Sequence, residues 1–213
     1  MNLANLTKGK GQYDLEYANC KCFWGKNPGK YVKHVLKYLT NGKVLDLGAG
    51  ECKNAIYLAQ LGFNVTAVEI SKYALNNFYL LSSDVNEDTL ERISVFNEDV
   101  LEFQSENEYD LVIAYGLLHC LGSVKEIDIM IEKIKKLTKV SGIIVIVSFT
   151  DDLQIPEIQS YLEPTLLPKG HLISQFKEYE ILEYEEDIIT ESHPTSNIVH
   201  QHSLARIITR KTY

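Results

Sequence analysis

Residues 43–71 read KVLDLGAGECKNAIYLAQLGFNVTAVEIS, and this stretch decides the fold as strand, glycine-rich turn, helix, strand. Val44, Leu45 and Leu47 make a short apolar run suited to a buried parallel strand, and Gly48-Ala49-Gly50 supplies permissive backbone for a sharp turn into a helix. Ala55, Ile56, Leu58, Ala59 and Leu61 carry that helix, which stops at Gly62. The run 63–70, rich in β-branched residues, is the next strand, and Glu69 stands near its end, 19 residues past Gly50. In a doubly wound sheet that position faces a ribose, whose two hydroxyls a carboxylate can accept.

Two details separate the nucleotides such a unit could hold. A pyrophosphate binder wants Gly-x-Gly-x-x-Gly, so that a dianion can rest on the helix N-terminus, but the third glycine position here is Lys53, after Glu51 and Cys52. Asp46, two residues before the first glycine, would repel phosphate and suits a ligand carrying an ammonium and a sulfonium. S-adenosylmethionine fits that description. Gly-x-Gly alone is a weak signal; Asp-x-Gly-x-Gly followed by helix, strand and Glu69 is a much stronger one.

The rest of the chain alternates strand and helix without repeats. The segment 27–40 is helical in pattern, with Val32, Val35, Leu36 and Leu39 on one face. Ser71 can cap a helix running to about Leu81, and strands follow at 93–96 and 109–114. An amphipathic helix over 123–139, a very apolar strand over 142–149, and closing strands over 178–186 and 202–210 complete the pattern. Seven strands with intervening helices predict an α/β sandwich in one domain, residues 1–213. Residues 1–27 form an N-terminal lid segment in this reading, and 150–176 an insertion on the substrate side.

Composition narrows the partners. The chain is 45% hydrophobic and 23% charged, ordinary for a globular domain, and 21 basic against 29 acidic residues give a net charge of -8. An acidic balance without a dense Lys/Arg stripe argues against nucleic acid and favours a small molecule. Cys20, Cys22, Cys52 and Cys120 have neither zinc-like spacing nor a disulfide framework, which suits free thiols in a reducing cytosol. With a polar start and no long apolar run, a soluble cytoplasmic protein is expected, with no membrane contact. Oligomeric state is left open.

Taken together, VLDLGAGECKNAIYLAQLGFNVTAVEIS, NEDVLEF, YDLVIAYGLLHCL, FKEYEILEYEED and HQHSLARIITRK resemble a class I S-adenosylmethionine-dependent methyltransferase, most similar to the tellurite-resistance methyltransferase group. The resemblance runs from about Tyr13 to Lys211. It implies a Rossmann-like sandwich with a seven-stranded, mostly parallel sheet and an antiparallel closing strand. It also implies S-adenosylmethionine as cofactor and S-adenosylhomocysteine as product. Gly48, Ala49 and Gly50 would line the methionine and ribose portion with Asp46 beneath, Glu69 would hold the ribose, and Ile70 would pack on the adenine. Asp99 and the Val100 amide would serve the adenine ring, Ala114 and Tyr115 would flank the methionine portion, and Asn54 would reach its tail. The family usually has glycine where this chain has Cys52; a positive φ there would cost about 1 kcal/mol or more.

The sulfonium is already electrophilic, so the protein mainly aligns an acceptor and excludes water. His119 and Tyr115 are the candidate bases, His119 having a pocket-shaping role as its alternative. Tyr13, Tyr17 and Trp24 are aromatic lid candidates, with sheet-edge packing as the other reading, and His171 is a weaker candidate in the insertion. His200-x-His202, with His193 nearby, raises a metal, but no carboxylate or cysteine stands at a third-ligand spacing along the chain, so none is expected. The acidic run 183–187 reads as a solvated strand-to-loop region. The reading is methyl transfer to an O, N, S or chalcogen atom of a small molecule. A nicotinamide-dependent oxidoreductase on the same fold and a non-catalytic cofactor-binding module are its alternatives.

Overall fold

The computed structural model describes residues 10–192 and 198–213. Among them, seven strands form one sheet in the order β3-β2-β1-β4-β5-β7-β6. The strands are β1 Lys43–Leu47, β2 Asn64–Val68, β3 Ile93–Phe96, β4 Tyr109–Tyr115, β5 Thr138–Phe149, β6 Glu180–Glu191 and β7 His200–Arg210. All pairings from β3 through β5 are parallel, and β7 lies antiparallel to both β5 and β6. The seven-stranded, mostly parallel sheet with its antiparallel closing strand is therefore present. Strand order reverses direction between β1 and β4, which opens a crevice at the carboxyl ends of the parallel strands.

Helices cover both faces. The helices are α1 Lys10–Asn19, α2 Lys30–His34, α3 Lys53–Gln60, α4 Lys72–Leu81, α5 Glu87–Leu90, α6 Val124–Leu137 and α7 His171–Ser174. One core joins Tyr31, Val32, Leu58 and Phe78 to the sheet; a second joins Met130, Ile131, Ile134 and Phe176 to it. The strands buried between them carry apolar residues almost without interruption, as Leu111 to Ala114 and Ile143 to Ile146 do. Ser71 caps α4 by accepting the Ala74 N–H at 3.2 Å, and Ser123 caps α6 by accepting that of Glu126 at 3.2 Å. The helix expected over 27–40 is shorter, because α2 tightens into a 3₁₀ turn over Val35–Lys37. Among the described residues no helix is long and apolar enough to cross a membrane.

The acidic run 183–187 is not a solvated loop. It lies inside β6, where Glu183 accepts from His34 Nδ1 at 2.7 Å, Lys37 Nζ at 2.8 Å and Tyr38 Oη at 3.1 Å. Glu185 and Asp187 instead pair with Arg206 of β7. Cross-strand carboxylates thus fasten α2 and the edge hairpin, which propensity along one segment does not reveal. Burial works against ionisation of Glu183, but its three donors outweigh it and hold the carboxyl near 2. A depressed carboxyl stabilises the fold above its ordinary value of 4.5 and loses that contribution as pH falls through about 2. Glu183→Gln is expected to lose about 1–3 kcal/mol at neutral pH, with the deficit vanishing in strong acid, by urea denaturation across pH.

Candidate functional site

A cavity of about 530 Å³ opens at the carboxyl ends of β1, β2, β4 and β5, within the usual range for small-molecule sites. Its floor is the glycine turn. Gly48 and Gly50 have φ of +67° and +55°, and a Cβ on either would meet Leu117 Cδ1 or Tyr17 Oη at 2.8 Å. The left-handed backbone favours glycine at these two positions, and a side chain there would also push on Leu117 or Tyr17. Cys52 also has a left-handed backbone, φ +59°, so the strain expected of a residue at the family's glycine position is present. The thiol is fully buried, next to the Gly50 carbonyl at 3.8 Å, and burial pushes its pKa well up.

Glu69 closes the turn from the neighbouring strand. One carboxylate oxygen accepts the Gly50 N–H and the other the Ser71 N–H, each at 2.8 Å, while the side chain lines the cavity. Two acceptor positions remain for a ligand. Burial raises the carboxyl, and these two N–H donors pull it back. Ile70, Asp99, Val100, Ala49, Asn54 and Tyr115 also line the cavity. Asp46 and Ala114 do not: both are buried beneath the lining, Asp46 at 1% exposure and Ala114 at 0%.

The departures from a pyrophosphate motif have a structural use. Glu51 accepts from Cys22 N at 2.8 Å and from Asn77 Nδ2 at 2.9 Å, and Asn77 also donates to the Tyr17 carbonyl at 2.8 Å. Lys53 Nζ donates to the Trp24 carbonyl at 2.8 Å, and Asn54 Oδ1 accepts the Gly29 N–H at 2.9 Å. These side chains fasten the N-terminal segment across the crevice. Tyr13, Tyr17 and Trp24 line the cavity, with Trp24 Nε1 donating to Tyr17 Oη at 3.2 Å. Of the expected lid 1–27, residues 1–9 lie outside the described residues.

The insertion behaves differently. None of the described residues of 151–176 lines the cavity, and His171 sits in α7 with Nε2 2.7 Å from Asp128 Oδ1 on α6. It fastens two helices and does not line the cavity. The far wall comes instead from the closing hairpin: Ile189, Glu191, Leu204 and Arg206. Sequence reasoning missed these, although Arg206, a lone charge within the apolar run 204–208, was a signal. Arg206 is held by Asp187 and Glu185 and lies 5.7 Å above the Tyr31 ring.

His119 is 6% exposed, lines the cavity, and stacks on Phe149 at 4.1 Å between centroids. Burial first, then His202, push its pKa down to about 3, so the ring is neutral at physiological pH. Tyr115 lies against Gly29, where an added Cβ would come within 2.4 Å of its ring. Burial raises its phenol, partly offset by the Lys30 N–H. Glu191 arrives beside His200 and His202, the carboxylate that spacing along one strand did not supply. His193 lies outside the described residues.

Burial, with Glu69 nearby, raises Asp46 to about 7, and its Oδ2 has no hydrogen-bond partner among the described residues. A raised carboxyl contributes stability that is full below its ordinary 3.8 and lost as pH rises through about 7. Asp46→Asn is therefore expected to gain about 1–3 kcal/mol over the parent at about pH 8 and nothing in acid, read by thermal unfolding in both buffers.

The family model described as "Tellurite resistance protein TehB" matches residues 25–203. A relative named probable S-adenosyl-L-methionine-dependent methyltransferase TehB, from Haemophilus influenzae, is 29% identical over 159 residues, covering 74% of this chain and 52% of the relative. The chain thus spans about half the length of the curated relatives it matches. The crystal structure of TehB from Haemophilus influenzae superposes with a TM-score of 0.72 at 23% identity, over 86% of this chain and 62% of that one. The N-methyltransferase NodS from Bradyrhizobium japonicum WM9, solved with S-adenosyl-L-homocysteine, gives 0.68 at 15% identity over 97% and 100%. These structures share the Rossmann-like methyltransferase fold with it, and by the family match this chain belongs to the TehB tellurite-resistance protein family.

Proposed function

We propose that this chain transfers a methyl group from S-adenosylmethionine to a small-molecule acceptor. The observation that carries the proposal is the glycine turn held by Glu69 in a crevice whose other ionisable floor and wall groups include Asp46, Glu51 and Asp99. A sulfonium and an ammonium are favoured against such a donor set, whereas a pyrophosphate would meet buried carboxylates. The tight backbone over Gly48 and Gly50 fits a ligand that approaches the main chain closely. Membership in the TehB family and the name of its Haemophilus relative support the same cofactor.

Glu69 would take the ribose hydroxyls on its remaining acceptor positions, Asp99 the adenine amino group, and Ile70 the ring face. When bound, the cofactor supplies an activated methyl group, and the residues around it need only bind, orient and exclude water. Tyr13, Tyr17 and Trp24 put aromatic faces around the crevice, where a cation is attracted to them. His119, neutral and weakly basic, accepts a hydrogen bond from an incoming acceptor and positions it, rather than storing a proton. Tyr115, raised and bound to the Lys30 N–H, stays a phenol and shapes the site. The acceptor is a thiol, a chalcogen oxyanion, or an oxygen or nitrogen of a metabolite, and the protein acts in the cytoplasm.

Calorimetric titration should show micromolar binding of S-adenosylmethionine and S-adenosylhomocysteine and none of NAD. Glu69→Ala and Asp99→Ala should each weaken the first two by about 1–3 kcal/mol, as loss of charged hydrogen bonds does. NAD binding alone would sink the proposal. Gly29→Ala, which displaces Tyr115, should lower turnover about tenfold or more with the fold intact by circular dichroism.

A further inference from the structure

The β6–β7 hairpin pairs Glu191 with His200 and Ile189 with His202. Directly paired residues of an antiparallel ladder, and alternate residues of one strand, share a face. The two imidazoles and the carboxylate therefore converge from two strands. One ligand atom from each lies within 4.8 Å of the others, and His202 Nε2 is 3.5 Å from Glu191 Oε1. The His202 side chain is 1% exposed, and its ring stacks on Phe149 at 4.6 Å.

His200 carries a further mark. Its Nδ1 is 2.7 Å from the Ile198 carbonyl oxygen. A carbonyl only accepts, so Nδ1 is the donor in this bond. This carbonyl-oriented tautomer is the arrangement that typically supports a metal-bound histidine. The structure assigns Glu191, His200 and His202 as a site for one divalent transition metal ion, beside the cavity that Glu191 lines.

Donor chemistry selects the ion. Two imidazoles and one carboxylate suit zinc, or iron, cobalt or nickel in the divalent state; the set has no thiolate for cuprous ion and too few oxygens for calcium. Bonds of about 2.0–2.1 Å place tetrahedral donors about 3.3–3.5 Å apart. The His202–Glu191 separation already meets this, and the third donor, from His200, lies within 4.8 Å of both. Three protein donors leave a four-coordinate ion one position for an outside ligand. Resting on the methyl-transfer reading, that ligand is the acceptor. A thiol entering there would form a metal–sulfur bond and release its proton to solvent, arriving as a thiolate with no protein base required.

The test uses the full chain, stripped of metal and free of S-adenosylmethionine, titrated with Zn²⁺ by calorimetry and with Co²⁺ by visible absorption. One ion per chain is expected, with micromolar or tighter affinity and a cobalt spectrum lacking thiolate charge-transfer bands, which excludes Cys20 and Cys22 as ligands. Glu191→Gln and His200→Ala should each weaken binding about tenfold or more. His202→Ala risks unfolding the core, so those two variants, checked by circular dichroism, decide. No Zn²⁺ binding up to about 100 μM, an affinity unchanged from the parent in both variants, or a thiolate spectrum overturns the site. A parent that binds S-adenosylmethionine but no metal overturns this inference alone, and one that binds metal through these residues but no S-adenosylmethionine overturns the methyl-transfer reading alone.

Discussion

The carboxylate of Glu69, shared between the Gly50 and Ser71 N–H groups, is the contact on which the site depends. It ties the turn after β1 to the end of β2, beside the crevice that opens where strand order reverses between β1 and β4. The turn is left-handed at Gly48, Gly50 and Cys52. Without an acceptor across the gap the Gly50 N–H would be buried and unpaired, at a cost of about 1–3 kcal/mol. Everything built on the turn, from the start of α3 to the fastened N-terminal segment, inherits its position from this contact.

The crevice is a balance of buried charge. Burial raises Asp46, Glu69 and Glu191 and lowers Lys53 and His119, so each is pushed toward its neutral form. A cationic ligand entering such a site would favour the charged state of these acids. Binding energy then comes from compensation within the protein as well as from direct contact. Arg206 on the opposite wall is already neutralised by Asp187 and Glu185, so it does not cancel the acidic floor.

The parallel half of the sheet was legible because each strand and its turn are local. An apolar run, a glycine turn and an acidic residue suffice to place the turn after β1, Glu69 after β2 and Asp99 after β3. The closing hairpin was less legible because its meaning lies in register. Glu183 reads as one member of an acidic run until β6 is laid beside α2, and Glu191 is invisible as a neighbour of His200 until β6 is laid against β7. His171 failed for the opposite reason: its place in a long connection suggested the cavity, but Asp128 draws it to the helical layer. Asp46 and Ala114 followed the motif to the correct strands but not to the lining, since inward-facing strand residues pack below the turn.

Glu51, Lys53 and Asn54 occupy the stretch where dinucleotide enzymes leave room for a pyrophosphate, and here they grip the N-terminal segment. This limits the routes open to the chain in evolution and in engineering. Restoring the third glycine at Lys53 would free the helix N-terminus for phosphate, but it would also release the Trp24 carbonyl and loosen the segment that covers the crevice. A change of nucleotide class therefore cannot proceed one residue at a time without first finding another way to hold that segment down.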